Sequence, residues 1–238
     1  MLYLGGFMII TIANRKGGVG KSTITANLAF TLAIQGSKVL CIDLDSQANL
    51  TTYLNNKPVS LDSFKQGTVY KSNKMIDILP ATKQFNQLEN EINSLVNRNT
   101  YLEKNIINQH INNYDYILID TAPNLGILNL NAFCCSNFVL IPIHPDLFSL
   151  QGLVEMKTIL DEVKEINPKL DYKIVMNGFM KNRNFMKSIT PILEKETSYT
   201  GIKIPTRQHF IDKSVEKLPA IDHEDIYKPF NQIVELFV

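Results

Sequence analysis

The chain has 238 residues, 45% of them hydrophobic, and its 24 Lys and Arg against 23 Asp and Glu leave a formal net charge of +1. That length suits one α/β domain spanning residues 1–238 with a substantial core, and leaves no room for a second large domain. No apolar run approaches the roughly 18 to 20 residues of a membrane span, and the start of the chain lacks the basic residues and cleavage site of a secretory leader, so a cytoplasmic protein is expected.

Residues 1–7 read as an N-terminal extension, with Met8 as the natural start. Phe7 to Ala13 is a continuous apolar, β-branched run of the kind a parallel central strand shows. It ends in Asn14-Arg15-Lys16-Gly17-Gly18-Val19-Gly20-Lys21-Ser22-Thr23, after which apolar residues recur at helical spacing to Ile34, with Gly36 placed as a helix stop. A glycine-rich loop between strand and helix is a phosphate cradle. Without side chains at Gly17, Gly18 and Gly20 the backbone wraps a polyphosphate closely, and its N–H groups and the helix N-terminus point at the anion. Lys21 places a point charge between the terminal phosphates, and Ser22 supplies the hydroxyl that such loops use to hold Mg²⁺. The general pattern Gly-x-x-x-x-Gly-Lys-Ser/Thr fails at its first glycine, which is Arg15, and an additional lysine appears at Lys16.

Further apolar runs follow at residues 38–43, 75–79, 115–120, 137–143 and 172–176, with a short one at 202–204 and helical segments between. Alternation of this kind predicts parallel β-α-β units, hence a doubly wound, mostly parallel sheet with helices on both faces. Right-handed crossovers gather the strand C-termini along one edge. Residues 55–74 read as loop and short helix.

Two of the strands end in acids. Lys38 to Ile42 runs into Asp43-Leu44-Asp45, and Tyr116 to Ile119 into Asp120-Thr121-Ala122-Pro123. An apolar strand terminating in Asp is how a carboxylate reaches the waters of Mg²⁺ beside a phosphate loop, which makes Asp43 and Asp120 candidates for the metal shell. Period-two spacing points Asp43 and Asp45 to one side, so one can support the metal shell while the other orients a nucleophilic water. Simpler readings exist: Asp45 with Ser46 as the cap of a helix beginning near Gln47, and Asp120 as the end of its strand in an Asx turn.

The three cysteines, Cys41 and the adjacent Cys134-Cys135, match neither a disulfide framework nor zinc spacing and read as small buried hydrophobes. His144, between Ile143 and Pro145 after a strand, reads as a packing or loop residue, with lining of the site as the alternative. Charge is unevenly spread: Lys173 to Lys217 holds nine basic and four acidic residues, a local +5 against −4 for the remainder. Such asymmetry marks either a polyanion-facing surface or a solvated face with surplus lysines.

These segments together resemble the deviant Walker A ATPases of the ParA/MinD group, and most closely the ParA-type DNA-partitioning ATPases. The resemblance rests on KGGVGKST at 16–23, IDLDSQANLT at 42–51, ILIDTAPNLGILNLNA at 117–132 and VLIPIHPDLFSLQGL at 139–153, covering the first two thirds of the chain. Ser46 stands where the family usually has proline. The resemblance implies ATP and Mg²⁺ as ligands and Lys16 as the signature lysine, reaching across a nucleotide-sandwich homodimer to the partner's phosphates. It implies Asp45 as the residue that activates the attacking water, Asp43 and Asp120 at the metal-shell positions, Ser22 as the direct Mg²⁺ ligand and Thr23 at the α-phosphate. Asn177 and Pro205 fall where the family contacts adenine.

The same resemblance implies binding of nonspecific double-stranded DNA by the ATP dimer, association with the nucleoid in that state, and stimulation of hydrolysis by a ParB-type centromere-binding protein. Lys181, Arg183, Lys187, Arg207, Lys213 and Lys217 are the basic residues expected to meet DNA. A MinD-like membrane device would need a basic amphipathic C-terminal helix, and no Lys or Arg follows Lys228, so no membrane partner is expected. Metabolic or electron-transfer relatives of the same scaffold would need cluster-ligating cysteines or a further substrate motif.

Overall fold

A computed structural model of the chain describes residues 7–179, 184–206 and 224–237. Strand β1 (Met8–Ile12) leads through the glycine loop into helix α1 (Lys21–Ile34), followed by β2 (Val39–Asp43), α2 (Asn49–Tyr53), α3 (Leu61–Lys65), β3 (Tyr70–Lys71), β4 (Ile76–Leu79) and α4 (Phe85–Asn93). A 3₁₀ turn at Arg98–Thr100 and a π-helical stretch at Glu103–Ile107 run into α5 (Asn108–His110). Then come β5 (Tyr116–Asp120), α6 (Ile127–Cys135), β6 (Phe138–Ile143), α7 (Leu147–Ile166), β7 (Asp171–Phe179), α8 (Asn184–Leu193), β8 (Tyr199–Pro205) and α9 (Glu224–Glu235).

The eight strands of the described residues form one sheet in the order β3-β4-β2-β5-β1-β6-β7-β8, parallel throughout except for the β3–β4 pair. The predicted strands are all present, shifted by one to three residues at their ends. The apolar runs were readable because these strands are covered on both faces. Along β2, Val39 and Cys41 face one layer while Leu40 and Ile42 face the other. Helices α1 and α9 cover the first face; α4 and α6 pack on the second, where α7 also covers β6. The edge strand β3 has two residues, too short to leave a pattern, and replaces part of the predicted loop. At the other edge, β8 pairs with β7 through register shifts and carries Gly201 at φ 75°.

Helix α1 stops as expected. Gly36 adopts φ 91°, and the N–H of Ser37 reaches back to the Leu32 carbonyl at 3.1 Å. Phe7, the last residue of the segment read as an N-terminal extension, is partly buried against the core. One expectation needs correction. Cys41 is fully buried as predicted, but Cys134 and Cys135 are only partly so, near the end of α6.

The C-terminal helix uses its apolar face for packing. Ile226, Phe230, Ile233 and Val234 are buried against α1 and β8, and Phe237 stacks obliquely on Phe138 with ring centroids 5.1 Å apart. Because α1 begins at Lys21, this contact also braces the glycine loop. Phe230→Ala removes a wholly buried ring and should lower stability by about 3–5 kcal/mol, read as a shift of the urea midpoint.

Candidate nucleotide site

Strand order places the loop at the switch point of the sheet. The chain leaves β1 for β2 on one side and later builds β6, β7 and β8 on the other, and ligands of open α/β sheets sit outside the strand C-termini at such a point. Register does the rest. Ile12 and Asp43 both stand opposite Asp120, so the loop, Asp43 and Asp120 meet at three adjoining strand ends.

The loop is fixed by Asn14, whose role was not apparent from the sequence. Its amide donates to the Pro142 carbonyl at 2.7 Å and its Oδ1 accepts from the Lys16 N–H at 2.8 Å, joining β1, the loop and β6. Gly18 and Gly20 adopt φ 74° and 88°. A Cβ on Gly20 would collide with the Asn177 amide, whereas one on Gly17 or Gly18 would meet no protein atom, so space beside these two is left for a ligand. Arg15 has no left-handed backbone, which explains why the missing first glycine is tolerated.

A cleft of about 630 Å³ opens over the loop, lined by Gly17, Gly18, Gly20, Lys21, Ser22 and Thr23 on one side and by Asp45, Gln47, Asn49 and Pro123 on the other. Lys21 is 7% exposed and its ammonium reaches the Asn14 carbonyl at 3.2 Å. Burial lowers its pKa, while Asp120 and Asp45 pull the other way. A smaller cavity of about 310 Å³ continues past Gly20 and Thr23 to Asn177, Ile204 and Pro205, and His144 lines it too. Asn177 also donates to the Val19 carbonyl at 2.7 Å, clamping the loop. The structure therefore brings together Lys21, Ser22, Thr23, the loop glycines, Asp45, Asp120, Asn177 and Pro205. Val19 is buried beneath the loop, and its carbonyl faces Asn177.

The carboxylates divide their work. Asp43 is fully buried, with Oδ1 accepting from the Asp45 N–H at 3.0 Å and Oδ2 accepting from the Thr51 N–H at 2.8 Å and the Thr51 hydroxyl at 2.7 Å. Three of its roughly four acceptor positions are thus taken by the protein, and its first task is to hold the turn that presents Asp45. Burial pushes its carboxyl up to about 6 despite these bonds, with the charge of Asp45 adding to the rise. Asp45 accepts from the Gln47 N–H at 2.9 Å in a tight turn and lines the cleft; it does not cap the helix, since α2 begins at Asn49 after Ala48 in a left-handed conformation.

Asp120 is different. Both its oxygens are buried and neither has a hydrogen-bond partner among the described residues. Burial and then the charge of Asp43 raise its pKa well above the usual carboxylate range, against the Ser22 hydroxyl, which faces it without completing a bond, and the Lys21 ammonium. A buried carboxylate left open beside a loop hydroxyl fits a hydrated divalent cation. Among the described residues no group of three His, Cys, Asp or Glu could hold a metal by itself.

Lys16 is not on the wall of the cleft. It turns to α7, where its ammonium pairs with Asp146, and both side chains are about one-third exposed. The basic positions expected to meet DNA lie largely outside the described residues: Lys181, Arg183, Arg207, Lys213 and Lys217 fall there, and so does the side chain of Lys187.

A family model described as an AAA domain matches residues 7–172. The sporulation initiation inhibitor protein Soj of Bacillus subtilis is 33% identical over 187 residues, covering 72% of this chain and 71% of that protein. This chain belongs to the ParA-type ATPases. The chromosome partitioning protein ParA of Caulobacter vibrioides is 30% identical to the ParA-type chain over 218 residues, 86% of this chain and 77% of that one. A crystal structure of a putative plasmid partition protein from Borrelia burgdorferi, bound to AMPPNP, superposes with a TM-score of 0.79 at 27% identity, covering 95% and 99% of the two chains.

In this ParA-type site Asp43 and Asp120 hold protons more tightly when folded than when unfolded. Their contribution to stability therefore falls as pH rises, for Asp43 between about 4 and about 6. Asp120→Asn should raise the stability of the nucleotide-free protein by about 1–3 kcal/mol in mildly alkaline buffer and flatten that fall. Urea denaturation across pH checks it; an unaltered profile would mean that the Asp120 charge is not the source of the cost.

Proposed function

We propose that this ParA-type ATPase is a DNA partition switch: Mg²⁺ and ATP drive a sandwich homodimer that binds nonspecific double-stranded DNA, and hydrolysis stimulated by a ParB-type partner resets it. The observation that carries the dimer is the divergence of the two loop lysines. Lys21 is buried in the cleft of its own subunit, while Lys16 stands on the rim, outside the cleft lining and partly open to solvent. A rim cation one loop away from the phosphates is suited to a neighbour's pocket. Delivered there, it counters charge on the transferred phosphoryl group, as an arginine finger does at about 10³ to 10⁵ in rate.

Within each subunit the loop N–H groups, Lys21 and Thr23 hold the phosphates, with Thr23 toward the α-phosphate. Magnesium, when bound, neutralises charge on the phosphate oxygens; Ser22 would ligate it, with Asp120 and the remaining acceptor position of Asp43 toward its waters. Asp45, 9% exposed on the opposite wall, orients the attacking water. The smaller cavity between Asn177, Ile204 and Pro205 takes the adenine.

For DNA the support is the surplus of basic residues between Lys173 and Lys217. Lys181, Arg183, Lys187, Arg207, Lys213 and Lys217 are assigned to phosphate contacts, which give nonspecific affinities of about 10⁻⁴ to 10⁻⁶ M, and two weak patches in one dimer bind through avidity. Among the described residues no helix is long and apolar enough to cross a membrane. The buried apolar face of α9 speaks against a lipid-binding role for it.

Retention of DNA without nucleotide and with ADP, ATP or a nonhydrolysable analogue tests the switch, and only triphosphate forms should retain it. Lys21→Ala should abolish productive ATP binding. Lys16→Ala should bind ATP yet stay monomeric by light scattering, and Asp45→Ala should remain dimeric on DNA. Retention that is indifferent to nucleotide, or a dimer formed equally by Lys16→Ala, overturns the reading.

A further inference from the structure

Two consecutive cations of the loop are tied to the same helix. Lys16 pairs with Asp146, the N-cap of α7, and Arg15 with Glu155, more than two turns further along it. Asp146 splits its carboxylate between two tasks. Its Oδ1 caps α7 by accepting from the Ser149 N–H at 2.9 Å, and its Oδ2 takes the Lys16 ammonium. Burial works against its charge, but Lys16 and the Ser149 N–H together hold its carboxyl below the ordinary range. Loop and helix are also packed through Asn14, whose Oδ1 lies 3.8 Å from where a Cβ on Gly152 would stand.

Resting on the sandwich reading above, we infer that Asp146 is a positioning residue that holds Lys16 on its own subunit until a partner's triphosphate competes for it. The Arg15–Glu155 pair is a second tether that keeps the loop against α7 in the unpaired subunit. The strengths are in the right order. Ion pairs as exposed as these, with side chains between 31% and 45% accessible, are weak and exchange readily. A lysine between ordered phosphate oxygens makes charge-assisted bonds that are considerably stronger. Nucleoside diphosphate lacks the terminal phosphate that would draw the lysine across, so the pair to Asp146 persists and the subunits stay apart. The device thus adds a threshold: dimerisation begins only when the gain across the interface exceeds the loss of two internal pairs.

Asp146→Asn separates the tether from the cap, because Asn caps helices as well as Asp. With a nonhydrolysable ATP analogue, the dimer dissociation constant of Asp146→Asn should fall by about 2- to 30-fold, two exposed pairs being released per dimer. A constant that is unchanged or higher overturns the inference. Lys16→Ala/Asp146→Asn should be as monomeric as Lys16→Ala; a dimer restored by the second substitution would show that Asp146 acts through something other than Lys16. The thermal midpoint of Asp146→Asn should match the parent, confirming the cap.

The tether is also read without any dimer. In the nucleotide-free subunit, an amine-reactive label followed by mass spectrometry should modify Lys16 several-fold faster in Asp146→Asn than in the parent. Equal rates overturn the inference even if the parent dimerises normally. Conversely, faster labelling in a protein that never dimerises with the analogue leaves the tether standing and removes the sandwich.

Discussion

The crowding of Asp43, Asp120 and Lys21 at adjoining strand ends is the constraint on which the site depends. Parallel strands β2, β5 and β1 run in register, so their termini cannot avoid one another, and the sheet seals them from water. Only part of the resulting charge is satisfied internally. Asp43 is met by Thr51 and the Asp45 N–H, and Lys21 by a backbone carbonyl, while Asp120 is left with neither. A fold that tolerates an open, buried carboxylate sacrifices stability at one point.

Much of this arrangement was legible in the sequence. The strands announced themselves as apolar runs because both their faces are covered, and the loop announced itself through glycines whose positive φ no other residue adopts cheaply at Gly18 and Gly20. Aspartates closing two of those runs were enough to place the carboxylates, since strand ends on one sheet edge must be neighbours. The division of labour among them was not legible. That Asp43 spends its oxygens on Thr51, eight residues on, depends on where α2 starts, and α2 starts two residues later than expected because Ala48 takes a left-handed turn.

Contacts across long stretches of chain left no local trace at all. Lys16 meets Asp146 across 130 residues, and Asn177 reaches the Val19 carbonyl across 158. Both arise because β6 lies beside β1 in the sheet and β7 next beyond it, which is a property of topology rather than of spacing. Asp146 did carry one readable sign, an acid three residues before Ser149, but that sign describes a helix cap. Its second oxygen, which takes the Lys16 ammonium, depends on where the start of α7 comes to lie beside the loop. The π-helical turn at Glu103–Ile107 and the two-residue β3 are similarly invisible, being set by packing rather than by pattern.

The two rims of the sheet have a consequence of their own. One is closed by a strand of just two residues running against its neighbour, and the other by a strand whose ladder slips twice and bends at a left-handed glycine. Neither offers the straight row of free amides on which another chain could template itself. Edge-to-edge pairing with another sheet is therefore disfavoured along both described rims.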